Sequence, residues 1–238
     1  MIVLIPPSET KAEGGAGVLD PATLSFPSLR GRRRTAQAAL KRVPLKDAPS
    51  VLKLGARNAH EARWNRELTT GPVLPAIERY TGVLYDGLDA STLPPAARTW
   101  VDAHVVVASA LFGLVRATDP IPLYRLSGST TLPDLSLKAH WREAVASAIA
   151  ATGEWVLDAR SEAYAALGAA PAGSAFLLVE TAEGRALNHF NKHAKGALVR
   201  RLAETGAEAG SRDELLHWAA AHGVPLEPRG DSDVVLRV

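Results

Sequence analysis

Three short stretches of the 238-residue chain hold side chains able to do anion or acid–base chemistry. The first is Ser8-Glu9-Thr10-Lys11, which follows the apolar run Ile2 to Ile5 and the breaker Pro6-Pro7. Two hydroxyls and an ammonium can hold a phosphate or a carboxylate. The glycines of a phosphate-cradling P-loop are missing, so a turn with a helix cap is the competing reading. The second stretch, Ala108 to Gly128, sets Arg116, Asp119, Tyr124 and Arg125 in otherwise apolar sequence. Buried guanidinium groups need anionic partners. Those partners are either an internal carboxylate such as Asp119 or a bound anion that suits the planar donor fork of arginine. The third stretch brings Asn191, Lys192 and Lys195 to a point where a strand is expected to give way to a helix, whose N-terminus favours anions. Gly196 there would allow close backbone approach. Glu9, Lys11, Asp119 and Glu162 are the candidate catalytic residues, the three carboxylates as acid or base, with Tyr124 placed to orient a ligand; no nucleophile–base pair can be named from the sequence. His189 and His193 have the i, i+4 spacing of a metal pair but no accompanying carboxylate, so no metal and no cofactor is assigned.

Charge adds a different possibility. The formal net charge is only +2, yet eleven basic residues stand against Asp47 and Glu61 between Arg30 and Arg66. Such an excess attracts a polyanion, or else it is a solvated face balanced elsewhere in the fold. Arg32, Arg33, Arg34, Lys53, Arg57, Arg63 and Arg66 are the expected DNA contacts, joined by Lys192, Lys195, Arg200 and Arg201. Leu52 to Arg57, with Gly55 and then Ala59 and Ala62, is similar to part of a helix–hairpin–helix element, in which backbone N–H groups meet DNA phosphates. A second hairpin glycine is missing, and an ordinary glycine between two helices is the alternative.

Strands are expected at Ile2 to Ile5, Val105 to Val107, Trp155 to Asp158, Ala175 to Glu180 and Val234 to Val238. Gly184 should mark a hairpin, with Arg185 to Phe190 as the returning strand. Helices are expected over Arg32 to Arg42, Val51 to Leu68, Leu93 to Ala103, Leu135 to Ala151 and Ser211 to His222. The last of these opens on a capping box, Ser211 to Glu214, and Ser161 is expected to cap a further short helix. Tyr80 and Tyr85 either stack on a base or sugar or fill the core, and the core is favoured.

With 47% hydrophobic residues the chain can bury a sizeable core, and its length suits one domain over residues 1–238. The absence of cysteine removes disulfides, zinc–thiolate sites and cysteine nucleophiles from consideration. The N-terminal sequence does not read as a signal peptide, and no window approaches the ~20 apolar residues of a membrane span. A cytoplasmic protein that does not engage membranes is expected.

Five motifs in order resemble the YaaA family of peroxide stress proteins. They are the PPSET loop ending at Lys11, YTGVLYDGL from Tyr80 to Leu88, SALFGLVRATDPIPLYRLSG from Ser109 to Gly128, Ser161 to Tyr164, and Lys192-His193-Ala194-Lys195-Gly196. The sequence departs from the family pattern at Ser127, where an acidic residue is usual, and at Ala117-Thr118, where Pro-Leu is usual. It departs again at His193 and Lys195, which stand for lysine and arginine. The resemblance implies a single mixed α/β domain, in which a twisted central mixed sheet is wrapped by helices and joined to a basic, helix–hairpin–helix-like segment. It also implies binding of duplex or branched DNA through a basic cleft, and a role in limiting peroxide damage. An enzyme acting on a phosphorylated or nucleobase-like small molecule, held by Lys11, Arg116, Arg125 and Lys192, is the alternative. A protein docking an acidic partner is a third.

Overall fold

Short β-branched and aliphatic runs make the centre of the molecule. In the computed structural model, which describes residues 1–181 and 189–238, Ile2–Ile5 (β1) and Val105–Ser109 (β3) are buried at every position. That pattern belongs to parallel strands covered on both faces. Strand β1 pairs in parallel with β3 on one side and with Val156–Asp158 (β6) on the other, so Val3 lies opposite both Val105 and Leu157. Ala175–Glu180 (β7) and Asp233–Arg237 (β9) extend the parallel region beyond β6. Antiparallel strands Gly113–Arg116 (β4) and Leu226–Arg229 (β8) flank it, giving a seven-stranded mixed sheet of order β4-β3-β1-β6-β7-β9-β8. Val73–Pro75 (β2) and Pro120–Pro122 (β5) form a separate antiparallel pair.

Helices surround the sheet. The longer ones are Arg30–Arg42 (α1), Pro95–His104 (α5), Leu137–Ala150 (α6), His189–Thr205 (α8) and Arg212–Ala221 (α9). Short helices occur at Ala48–Val51 (α2), Ala76–Arg79 (α3), Val83–Leu88 (α4) and Glu162–Ala165 (α7). Ser211 caps α9 through Glu214 N–H, while the Glu214 carboxylate accepts from Gly210 rather than completing the reciprocal box on Ser211. Ser161 precedes α7 but makes no side-chain cap. The expected hairpin at Gly184 and the return strand up to Asn188 lie outside the described residues. His189 and Phe190, assigned to that strand, instead begin α8.

The continuous helix expected from Val51 to Leu68 is not formed. Lys53 adopts a left-handed φ of 55° and Gly55 is extended, so α2 stops after one turn. The next segment, Ala56–Arg66, is a run of 3-10 turns. The basic segment therefore lacks the second α-helix of a helix–hairpin–helix.

Candidate functional site

Strand β1 is where the chain order of the sheet switches, with β3 on one side and β6 on the other. Loops leaving the carboxyl ends of such neighbours diverge and open a crevice. The loop after β1 carries Ser8 to Lys11 into this place. Lys11 pairs as an isolated bridge with Tyr80, and Ala12 N–H bonds to the Arg79 carbonyl. The buried guanidinium of Arg79 donates to carbonyls of Ala12, Gly14, Pro72 and Ile121, which ties the loop to the small sheet. Gly82 has φ +100°, and a Cβ there would lie 3.1 Å from Thr10 Oγ1 and 3.2 Å from Ser8 Oγ, so the YTG turn needs glycine.

Lys11 Nζ donates to the carbonyl oxygens of Ser8 at 3.1 Å and Glu9 at 3.3 Å. It lies 4.2 Å from the centre of the Tyr124 ring and 5.4 Å from that of Tyr80. No carboxylate oxygen comes within ion-pair distance of it among the described residues. Desolvation, reinforced by the Arg125 charge, lowers its pKa to about 7. The lysine therefore sits at the edge of its own titration at neutral pH.

Arg125 does not wait for a ligand. Its guanidinium meets Glu9 Oε2 at 2.6 Å and Glu61 Oε2 at 3.1 Å, and donates to the Glu9 carbonyl. Asn65 pins the Arg125 backbone, accepting its N–H at 2.8 Å and donating to its carbonyl at 2.9 Å. Of the two partners the sequence leaves open for this arginine, the internal carboxylate is the one found.

All four tyrosines of the chain gather here. Tyr85 donates to the Pro6 carbonyl, and the Tyr164 hydroxyl accepts from Gly128 N–H. Tyr80 Oη is 2.7 Å from Tyr124 Oη, which is 2.9 Å from Ser109 Oγ. Ser109 Oγ also accepts from the N–H groups of Leu111 and Phe112. Those two amides occupy the serine lone pairs, so its own proton must go to Tyr124. The Tyr80–Tyr124 contact uses one phenolic proton, and the other has no acceptor among the described residues. Burial pushes the pKa of all four phenols up, so they stay neutral near pH 7.

Ser8, Glu9, Thr10, Lys11, Tyr124 and Arg125 thus converge. Arg116 does not. It pairs with Val106 near the amino end of β3 and donates to the Ala103 carbonyl, at the opposite end of the sheet from Lys11. Asp119 is buried and accepts from Ser25 and from the Arg116 N–H, which makes it a structural cap. Arg33 is 2% exposed, with its guanidinium on the carbonyls of Ser25, Phe112 and Leu114. It is withdrawn from the surface expected of it. Arg32, Arg34, Lys53, Arg57, Arg63 and Arg66 are exposed.

Glu162, Asn191 and Lys195 line a neighbouring cleft of about 410 Å³ with Arg160 and Phe176. Lys195 is buried there and donates to the carbonyls of Ala159 and Arg160, and burial draws its pKa down to about 8. Arg160 in turn forms a two-point ion pair with Asp158, at 2.6 and 2.8 Å. Lys192 is exposed on α8, outside both groups. Arg200 is tied to Glu204 and Asp89, and Arg201 donates to the His222 carbonyl.

Sequence reasoning missed Glu61 and Asn65 as site residues. The signal for Glu61 is its isolation, as one of two acids in a strongly basic stretch. Asn65 carries no such signal.

The fold and the site define a mixed α/β protein whose polar centre lies at the carboxyl ends of its middle parallel strands. The family profile described as "Peroxide stress protein YaaA" matches residues 1–222, and the chain belongs to that family. It is 42% identical over 236 residues to a UPF0246 protein of Corynebacterium glutamicum, covering 95% of each chain. It is also 42% identical over 239 residues to a UPF0246 protein of Streptomyces coelicolor, covering 95% of this chain and 92% of that one. An uncharacterized protein of Campylobacter jejuni is 25% identical over 207 residues, or 84% of this chain and 83% of its own.

Proposed function

We propose that this member of the peroxide stress family binds DNA through its phosphates, along the exposed basic residues of α1 and of the segment from Lys53 to Arg63. The observation that carries this reading is the two-sidedness of Ala56–Arg66. Its inner face sends Glu61 and Asn65 to Arg125, while Arg57 and Arg63 point outward with no carboxylate partner among the described residues. Arg32, Arg34 and Lys53 are exposed and equally without carboxylate partners there. Charge left unneutralised in this way suits a polyanion, and a reading of backbone and shape asks for no recognition helix. The internal pairing of Arg125 and the remoteness of Arg116 weigh against a dedicated pocket for a small anion.

Fluorescence anisotropy with a duplex and a branched DNA, across a salt series, tests the proposal. Affinity should fall steeply with salt. The triple variant Lys53→Ala, Arg57→Ala, Arg63→Ala should bind at least about tenfold more weakly and flatten the log–log salt slope by about 1 for each phosphate interaction removed. Salt-independent binding, or a triple variant that binds like the parent, would overturn it.

A further inference from the structure

We propose that Lys11 is an amine nucleophile that condenses with an aldehyde carbon, so that the polar centre at the end of β1 takes a carbonyl ligand rather than an anion. Three features of the geometry point to this. First, Lys11, unlike Arg125, has no carboxylate at ion-pair distance among the described residues, since Glu9 and Glu61 are both spent on Arg125. Second, Nζ has two carbonyl acceptors, those of Ser8 and Glu9. Two acceptors match the two N–H groups of a neutral amine and leave its lone pair unbonded. Third, the Tyr80–Tyr124–Ser109 chain ends in one phenolic proton with no acceptor among the described residues, next to the rings that flank Nζ.

A lysine desolvated beside another cation is the general way to expose an amine nucleophile at neutral pH. The charged groups facing Nζ are Arg125 and Arg79, which favour the neutral amine, and Glu61 and Glu9, which oppose it, with desolvation the largest influence. The lone pair of Nζ attacks the carbonyl carbon, and the C=O π electrons move to oxygen, which takes up a proton from the phenolic chain. The nitrogen, now positively charged, returns one proton to the phenolate. The phenolic chain then protonates the hydroxyl, which leaves as water while the nitrogen lone pair forms C=N, and the remaining iminium N–H proton goes back to the phenolate. One amine and one aldehyde give one imine and one water, with no oxidant or reductant.

The aldehyde has two possible sources. It is either the ring-opened sugar of a base-free position in DNA, which rests on the function proposed above, or a free small aldehyde, which does not. The test incubates the full chain with sodium cyanoborohydride and either a duplex bearing one abasic position or glycolaldehyde. Intact mass and peptide mapping then locate the reduced adduct. Adduct on Lys11 in preference to the exposed Lys46, Lys53 and Lys138, rising with pH through about 7, is the expected result. Lys11 labelling by the duplex alone assigns the ligand to DNA, and labelling by glycolaldehyde assigns it to a small molecule. Lys11→Arg should abolish the specific adduct, and if that variant does not fold, mapping the unsubstituted protein still locates the reactive amine. No adduct on Lys11 in either arm, or labelling no faster than at the exposed lysines, overturns the inference. The anisotropy of intact duplex is read separately, so loss of DNA binding and loss of amine reactivity are told apart.

Discussion

Single residues of one type play opposed parts here. Arg32, Arg33 and Arg34 are consecutive, yet only Arg33 turns into the core. Burial brings its pKa down to about 10, so it stays charged at neutral pH, and it holds three carbonyls that no other side chain serves. Arg33→Ala takes the guanidinium from the Ser25 and Leu114 carbonyls, leaves the Phe112 carbonyl with only the Leu114 N–H, and opens a void, at a cost of about 3 kcal/mol or more, since each unsatisfied buried group costs about 1–3 kcal/mol. Arg32→Ala and Arg34→Ala should change stability by no more than about 0.5 kcal/mol. Urea melts of the three variants check this, and equal losses at all three would contradict the assignment. Charge counting along a sequence cannot make this distinction. What separates Arg33 is its helical phase, shared with Ala36 and Leu40, on a face whose neighbours only the fold supplies.

Among the elements, the strands were the most legible. Ile2–Ile5 and Ala175–Glu180 are where their apolar runs put them, because a buried parallel strand leaves few other places for such residues. The pair β2 and β5 was hidden by its prolines, which read as turns. Convergence of the loop after β1 with Tyr124 and Arg125 was legible as clustered motifs. The separation of Arg116 was not, because it depends on which end of an antiparallel hairpin a residue occupies. Gly196 allows a close backbone approach, as its residue type suggests. The close approach it permits is to helix α4, not to a ligand. A Cβ at Gly196 would overlap the Leu84 carbonyl, and one at Gly87 would overlap the His193 carbonyl. The two helices therefore meet backbone to backbone. Gly196→Ala should cost about 2–3 kcal/mol as an overpacking change. The double variant with Gly87→Ala should cost less than the sum of the two, because one separation of the helices relieves both overlaps. Thermal melts of the single and double variants measure this, and an unperturbed Gly196→Ala would refute the close approach.

For the molecule as a whole, two desolvated lysines shape how stability responds to pH on the alkaline side of neutrality. Lys11 and Lys195 are drawn down to about 7 and about 8 by burial, whereas an unfolded lysine titrates near 10.4. Below the folded values both states carry the charge, and the folded state bears the whole penalty. Above them the folded lysines release protons that the unfolded chain still holds, so stability rises with pH from about 7 towards about 10. The gain is on the order of a few kcal/mol. Higher still, the unfolded chain ionises its tyrosines before the folded protein does, since burial raises all four, and stability falls again. Urea melts from pH 6.5 to 11 should show a maximum on the alkaline side, flattened by Lys11→Met. A maximum at or below neutrality would mean that the buried lysines keep their protons.

Seen from its edges, the same sheet resists sticking to itself. An open lateral strand offers unpaired N–H and C=O groups on which another copy can add a strand and start an aggregate. At one border, the Arg33 guanidinium occupies the Leu114 carbonyl of β4 and that of Phe112 just before it. At the other, β8 is short, contains Pro228 and carries Glu227 and Arg229 on exposed positions. The small sheet is likewise punctuated by Pro75, Pro120 and Pro122. An arginine that a charge map would award to DNA instead covers carbonyls at the border of this sheet.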